Sequence, residues 1–262
     1  MAHRGKRYRA AYEKIDRTRA YPPAEAVRLL KEAGAARGAS FDETVELHIR
    51  LGVNVRHAEE QLRGTLALPG GLGKDVSVAV FAEGDQAKAA TEAGADFVGS
   101  DDLAEKVEGG WTDFDVAIAH PSQMPKVGKL GRVLGPQGKM PNPKVGTVTD
   151  DIAKAVEEAK AGKVEYRTDR QAIVHLSIGK LSFDESALLE NYAAVIEEII
   201  RAKPASAKGR YILSVTLTTT MGPGIRVDPN ITRRAEIIAG AGQLSANGDE
   251  EEAAPAEEPA TA

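Results

Sequence analysis

The sequence predicts a two-domain protein of mixed α/β and α+β class. Strands in which apolar and polar residues alternate lie towards both ends of the chain. Short apolar strands that alternate with helices lie between them, a pattern typical of a parallel sheet covered on both faces. Glycine-containing breaks separate the two patterns. We therefore predict one domain built from 1–70 plus 163–244 and a second domain inserted at 71–162.

The first part of the chain predicts a helix followed by half-buried strands. Pro22 and Pro23 precede the segment AEAVRLLKEAGA, in which apolar residues recur at helical spacing. In FDETVELHIRLGV every second residue from Val45 to Leu51 is apolar, which predicts a strand with one buried and one polar face. A shorter strand, GTLAL, ends at Pro69.

The predicted insert alternates strands and helices. VSVAVFA, ADFVG and FDVAIAH are expected to be strands, with DQAKAATEAG and DDLAEKVEGG as the helices between them. TDDIAKAVEEAKAGK predicts a further helix that is capped by Thr149 or Asp150 and ends at Gly162.

Alternating strands return after the insert. VEYRTDRQAIVHLSIG predicts a hairpin with its turn near 168–171, and the longest helix is expected from Phe183 to Ala202. YILSVTLTTT predicts a last half-exposed strand. The glycines at the two connections between the domains predict a hinge, and they are Gly70, Gly71, Gly73 and Gly162.

Charge is segregated along the chain, whose formal net charge is −5. Residues 1–19 are rich in lysine and arginine, whereas 245–262 contain acidic residues and neither basic type. The segment 245–262 also lacks large apolar residues, so we expect a disordered acidic tail.

Composition argues against several functional classes. The chain has no cysteine, which excludes disulfides, thiolate metal sites and a cysteine nucleophile. No apolar run is long enough to span a membrane, and the basic start lacks the apolar core of a secretory signal. We therefore expect a cytoplasmic protein with no membrane partner. The five histidines share no metal-ligand spacing, and His175, within AIVHLSI, is expected to be a structural residue.

No sequence motif indicates catalysis. GGLGK, from Gly70 to Lys74, resembles a phosphate loop, but Asp75 and a strand follow it in place of the required Ser or Thr and helix. No GxSxG motif is present. The sequence predicts no catalytic residue, no cofactor and no metal site, and a nucleotide-using enzyme is the disfavoured alternative.

The segment 116–149 is basic, rich in glycine and proline, and contains no acidic residue. We expect an irregular loop that contacts nucleic-acid phosphates, although a loop that only aids solubility is the alternative. Its basic side chains are Lys126, Lys129, Arg132, Lys139 and Lys144.

Two further features fit RNA recognition. TTTMGPG at 218–224 places hydroxyls and backbone amides at the end of a strand, where they can contact ribose and phosphate, although an ordinary turn is the simpler reading. The polar face formed by Thr44, Glu46, His48 and Arg50 is either a solvated surface or, if it adjoins 214–220, a recognition surface. Aromatic residues make up only 5% of the chain, which favours shape recognition of a folded RNA over stacking on single strands.

Several segments resemble the bacterial L-one family of large-subunit ribosomal proteins. The segments that carry the resemblance are GKRYR at 5–9, FDETVELHIRLG at 41–52, RGTLALPGGLGK at 63–74, EAGADFVG at 92–99, GKLGRVLGPQGKMPNPKVGTVTDDI at 128–152 and TTTMGPG at 218–224. The resemblance implies a split α+β sandwich that binds ribosomal RNA and an inserted Rossmann-like α/β domain without nucleotide-binding function.

The resemblance also implies specific RNA contacts. The matching residues are Phe41, Thr44, Glu46, Asp169, Arg170, Ser214, Thr218, Thr220, Met221 and Gly222. Three positions depart from the family pattern: Ser40 replaces a common basic residue, Thr168 replaces Asn, and Arg170 replaces Lys. Ala172 also stands where a glycine is common, so the sequence does not predict the backbone conformation of this turn.

The resemblance implies partners and a role in translation. The implied partners are the 23S ribosomal RNA stalk, the large ribosomal subunit, exit-site tRNA and the protein's own operon mRNA, whose translation it would repress. A free regulator that acts chiefly on mRNA is the alternative within RNA binding.

Overall fold

The computed structural model describes residues 5–238, apart from the side chains of Ala58 and Lys144. The predicted acidic tail at 245–262 lies outside these residues. The described chain is a mixed α/β structure with three sheets. Its helices are α1 (Lys6–Glu13), α2 (Pro23–Arg37), α3 (Asp85–Glu92), α4 (Asp101–Glu108), α5 (Met124–Val127), α6 (Gly131–Leu134), α7 (Ile152–Lys160) and α8 (Glu185–Arg201). Its strands are β1 (Thr44–Leu51), β2 (Arg63–Ala67), β3 (Val78–Phe81), β4 (Phe97–Gly99), β5 (Val116–Ala119), β6 (Lys163–Arg167), β7 (Ile173–Lys180), β8 (Ile212–Thr219) and β9 (Ile225–Val227).

The largest sheet is antiparallel, with strand order β7-β1-β8-β9. The predicted alternation of β1 is confirmed, because Val45, Leu47, Ile49 and Leu51 are buried and the residues between them are not. Helices α2 and α8 pack against the buried face and complete one apolar core with it. The opposite face keeps its polar side chains accessible.

A second sheet pairs β2 with β6, with Arg63 opposite Arg167 and Ala67 opposite Lys163. The predicted hairpin of β6 with β7 is therefore wrong in its pairing, although the turn lies where expected. Among the described residues a single bridge, Thr168 to Val174, joins the two segments. The alternation of polar and apolar residues marks a half-buried strand but does not choose its partner.

The third sheet is parallel, with strand order β4-β3-β5. Successive residues of β3 enter different cores: Ala79 and Phe81 pack on one side, Val78 and Val80 on the other. This burial on both faces explains the continuous apolar sequence. The cap expected for α7 is shifted by one residue, because Asp151 accepts the hydrogen bond from the Lys154 amide.

The basic segment 116–149 is more regular than expected. It begins with β5 and continues through the short helices α5 and α6 and turns of 3₁₀ helix. Val127, Leu130 and Leu134 are buried against the parallel sheet, so apolar side chains order a segment that its glycines and prolines predict to be irregular.

The two chain connections to the parallel sheet touch each other. Gly162 has φ +92°, and a Cβ there would lie 3.3 Å from the Cα of Gly71. Asn191 of α8, which is fully buried, accepts a hydrogen bond from the Gly70 amide (2.8 Å) and donates to the Gly71 carbonyl (3.1 Å) and the Ile178 carbonyl (2.8 Å). Two of the predicted hinge glycines are thus fastened to α8.

Candidate RNA interface

The accessible face of the four-stranded sheet, which we call the open face, collects polar residues from distant parts of the chain. Glu46 on β1 lies between Ser177 on β7 and Thr218 on β8. Four residues further along β1, Arg50 lies opposite Ser214. Strand pairing therefore brings the predicted residues Glu46, Ser214 and Thr218 onto one surface, as the polar-face hypothesis requires.

The middle row of the open face contains two histidines. His48 on β1 lies opposite His175 on β7 and Thr216 on β8, and Thr216 lies opposite the exposed Arg226 on β9. The side chain of His175 is 52% exposed and its Nδ1 lies 2.9 Å from Nδ1 of His48, so this structural histidine is hydrogen-bonded and not packed in the core. In a strand whose other face is buried, alternation places position 175 outward.

The turn after β8 is held by a buried carboxylate, Glu43. Its Oε2 accepts the backbone amide of Met221 at 3.0 Å, and its Oε1 accepts Nη2 and Nε of Arg37 at 2.6 and 3.1 Å. Burial raises the pKa of Glu43, but hydrogen bonds from Thr219, Arg37 and Met221 outweigh burial and hold this pKa below its ordinary value. An ion pair therefore fixes the position of the candidate RNA-binding turn.

Three of the predicted hydroxyl groups also shape this turn. The Thr44 amide donates to Thr220 Oγ1 at 3.0 Å, and the Thr220 amide donates to the Thr44 carbonyl at 3.0 Å. Lys180 Nζ donates to Thr44 Oγ1 at 2.9 Å, and Thr218 Oγ1 donates to the Thr219 carbonyl. These hydroxyls order the edge of the sheet as well as face the surface.

Large apolar side chains project beside the ordered turn. Phe41 is 52% and Met221 54% exposed, although both adjoin the buried Glu43 network. A Cβ at Gly222 would collide with the Thr219 hydroxyl, so this position requires glycine. Exposed apolar groups on a rigid base are suited to packing against ribose or base surfaces.

The turn before β7 is well ordered despite its departures from the family pattern. Asp169 Oδ1 accepts the backbone amides of Gln171 and Ile173 at 2.8 and 2.7 Å. Burial raises the pKa of Asp169, but these two bonds and the contact with His175 outweigh it and lower the pKa. Ala172 has φ +59°, a conformation that favours the glycine it replaces.

A shallow groove next to this turn contains arginines that sequence reasoning missed. Arg56, Arg167 and Arg170 line it, together with Asp169 and Gln61. All three arginines are exposed. Only Arg170 was predicted, because Arg56 and Arg167 belong to segments whose proximity depends on the β2–β6 pairing.

The predicted phosphate contacts of the parallel-sheet unit divide into two kinds. Lys126 Nζ lies 2.9 Å from both Glu83 and Asp101, and bonds with Ser100 and Lys126 lower the pKa of Glu83 to about 2. Lys139 donates to the Thr112 carbonyl at 2.9 Å and lies over the ring of Phe114. These two lysines already have internal partners.

The other predicted basic residues of this segment are more accessible. Lys129 and Arg132 are exposed, and the described contacts give neither a carboxylate partner. The side chain of Lys144 lies outside what the structure describes. Lys129 and Arg132 are thus the members of the set best placed to meet a phosphate.

Residues 5–238 contain neither a metal-ligand cluster nor a membrane-spanning helix. No group of three or more histidine and carboxylate side chains in this range is arranged to hold a metal ion. None of the described helices has the length and apolar character needed to cross a membrane.

Comparison with known proteins confirms the resemblance. The sequence model of the "Ribosomal protein L1p/L10e family" matches residues 29–223. "Large ribosomal subunit protein uL1" of Thermobifida fusca (strain YX) is 59% identical over 236 residues, which are 90% of this chain and 99% of the relative. The protein of that name from Mycobacterium leprae (strain Br4923) is 58% identical over 233 residues, 89% of this chain and 98% of the relative. The chain therefore belongs to the ribosomal protein L1p/L10e family, whose members are structural ribosomal proteins and not enzymes.

Proposed function

We propose that this protein is a structural constituent of the large ribosomal subunit that binds a folded segment of 23S ribosomal RNA through the open face and the turn after β8. The observation that carries the proposal is that three distant segments of the chain meet on the same face of the sheet. Segments around 41–50, 169–177 and 212–222 meet on one accessible sheet face and bring hydroxyls, basic groups and two exposed apolar side chains together.

The chemistry of this face suits RNA. Ser214 is exposed and can exchange hydrogen bonds with a ribose 2′-hydroxyl, while Arg50 and Arg170 can pair with phosphates. Phe41 and Met221 can pack against a sugar or a base. Because such contacts report RNA shape more than sequence, a folded RNA is the expected ligand.

We also propose the two-domain organisation and the hinge. The largest core draws its buried residues from 11–68 and 166–237, whereas the two cores around the parallel sheet draw theirs from 78–159. This division supports a split α+β domain with a Rossmann-like insert at 71–162. Movement in the two connections, beyond the fixed Gly70 and Gly71, would carry Lys129 and Arg132 with the insert.

The remaining proposed roles are those that the resemblance to the family implies. A mobile insert with exposed basic groups would contact exit-site tRNA and aid its release. An operon mRNA that imitates the ribosomal site would bind the same open face, and its translation would be repressed. Both roles place the protein with ribosomes in the cytoplasm.

A binding titration tests the main proposal. The full chain would be titrated by filter binding against the isolated stalk fragment of 23S rRNA at several salt concentrations, with an unrelated folded RNA as control. We expect selective binding that weakens as salt rises, because phosphates are neutralised. Equal, weak binding to both RNAs would contradict the proposal.

A further inference from the structure

Four titratable side chains form a continuous array across the open face. Nδ1 of His48 lies 2.9 Å from Nδ1 of His175. The outer ring nitrogens face carboxylates: Nε2 of His48 lies 3.5 Å from Glu46, and Nε2 of His175 lies 3.5 Å from Asp169. The resemblance implies that Glu46 and Asp169 contact RNA. His48 and His175, for which it implies no contact, connect these two carboxylates.

The geometry of this array determines how many protons it holds best. One hydrogen must lie between the two Nδ1 atoms, and each Nε2 needs a hydrogen to face its carboxylate. Three N–H protons satisfy all three contacts, whereas two neutral imidazoles carry only two. A fourth proton would set two N–H groups against each other, so the pair accommodates one additional proton.

In the protein without RNA, the local environment opposes that additional proton. Burial, and secondly the neighbouring His175, lower the pKa of His48, although Glu46 acts in the opposite direction. The charged groups that flank the pair along the strands and the turn are Glu46 and Arg50 on β1, Asp169 and Arg170 in the turn, and Arg226 on β9.

We propose that His48 and His175 form a proton-linked contact for the RNA backbone, so that RNA binding loads one proton onto the pair. This inference rests on the proposed function, because it requires RNA on the open face. Phosphates above the sheet would stabilise the shared positive charge on the pair. RNA affinity then increases as pH falls.

The pH dependence of RNA affinity tests this proposal. The dissociation constant of the stalk fragment would be measured between pH 5.5 and 8 at fixed ionic strength for the natural chain, His48→Gln and His175→Gln. His120→Gln is the matched control, since His120 lies 3.4 Å from Asp150 but belongs to the parallel-sheet unit. Glutamine keeps hydrogen-bonding groups and does not titrate.

We expect the natural chain and His120→Gln to gain affinity by up to about tenfold per pH unit on acidification, the limit for one linked proton. His48→Gln and His175→Gln should lose most of this slope. Calorimetry in two buffers of different ionisation enthalpy should show proton uptake that His175→Gln abolishes. Because His175 is half exposed, its variant should fold, and its melting temperature checks this.

Two outcomes would overturn the proposal, and only the second would also contradict the proposed function. If His175→Gln binds the RNA selectively and its affinity depends on pH as in the natural chain, the proton-linked contact is contradicted and the proposed function is not. Equal binding to the stalk fragment and a control RNA at every pH removes both.

Discussion

The backbone amide of Met221 donates a hydrogen bond to Glu43, a carboxylate with no solvent exposure. The same carboxylate is paired with Arg37, so a charge pair from the start of the chain orders a turn near its end. An RNA surface built in this way is preorganised, which reduces the entropy lost when RNA binds.

Replacing Arg37 with Met should destabilise the protein and weaken RNA binding together. Loss of one partner of a buried ion pair costs about 3–5 kcal/mol, and we expect the lower end because Arg37 is slightly exposed. The double variant R37M/E43Q should recover much of the stability, since the neutral amide can still accept the Met221 bond. Urea unfolding and filter binding measure both effects, and a double variant no better than R37M would contradict this role.

Acid should reveal the Glu43 network. The folded-state pKa of Glu43 lies below its ordinary value of 4.5, so its stabilising contribution is complete above that pH. The contribution is lost as the pH falls through the folded value. Melting temperatures between pH 3 and 7 should therefore fall more steeply for the natural chain than for E43Q. Parallel curves would show that Glu43 does not contribute to acid sensitivity.

Truncation of the exposed apolar pair should affect binding without affecting folding. F41A and M221A should each weaken stalk-RNA binding by about 1–3 kcal/mol, the range for a specific RNA contact, with little change in melting temperature. I200A is the control, because Ile200 is similarly apolar and 41% exposed but belongs to α8, on the other side of the sheet. Equal loss in I200A would argue against a localised site.

Salt dependence should separate the two kinds of basic residue in the insert. If Lys129 and Arg132 meet phosphates, K129Q/R132Q should reduce the slope of log affinity against log salt by about one to two. K126Q should leave that slope unchanged, because Glu83 and Asp101 already neutralise Lys126. The assay needs a complex in which the insert reaches RNA, such as the large subunit with bound tRNA.

Substitutions at Asn191 and Tyr192, which are neighbours on α8, should have opposite effects on the free energy of unfolding. N191L removes three buried hydrogen bonds and leaves the Gly70 and Gly71 backbone groups without partners, at a cost of about 2–4 kcal/mol. Among the described residues the buried Tyr192 hydroxyl has no hydrogen-bond partner, so Y192F should be neutral or stabilising by up to about 1 kcal/mol. Urea unfolding of both variants checks the pair, and destabilisation by Y192F would reveal a partner for the hydroxyl.

The sequence predicted local features better than long-range pairings. Alternation in β1 identified its buried face because that pattern depends only on neighbouring residues. The β2–β6 pairing joins segments about 100 residues apart, and His48 and His175 are 127 residues apart, so the local alternation of residues could not predict either contact. For the same reason the charge of Lys126 suggested a phosphate contact, whereas its carboxylate partners lie 43 and 25 residues away.

The contact between Gly71 and Gly162 has a consequence for folding order. Strands β2 and β6 pair immediately outside this contact, so their ladder closes a loop that contains the whole parallel sheet. Closure of so long a disordered loop carries a large entropy cost, which prior folding of the parallel sheet and its helices would remove by bringing the ends of the loop together. Variants that destabilise the parallel sheet should therefore slow assembly of the β2–β6 ladder, even though they alter none of its residues.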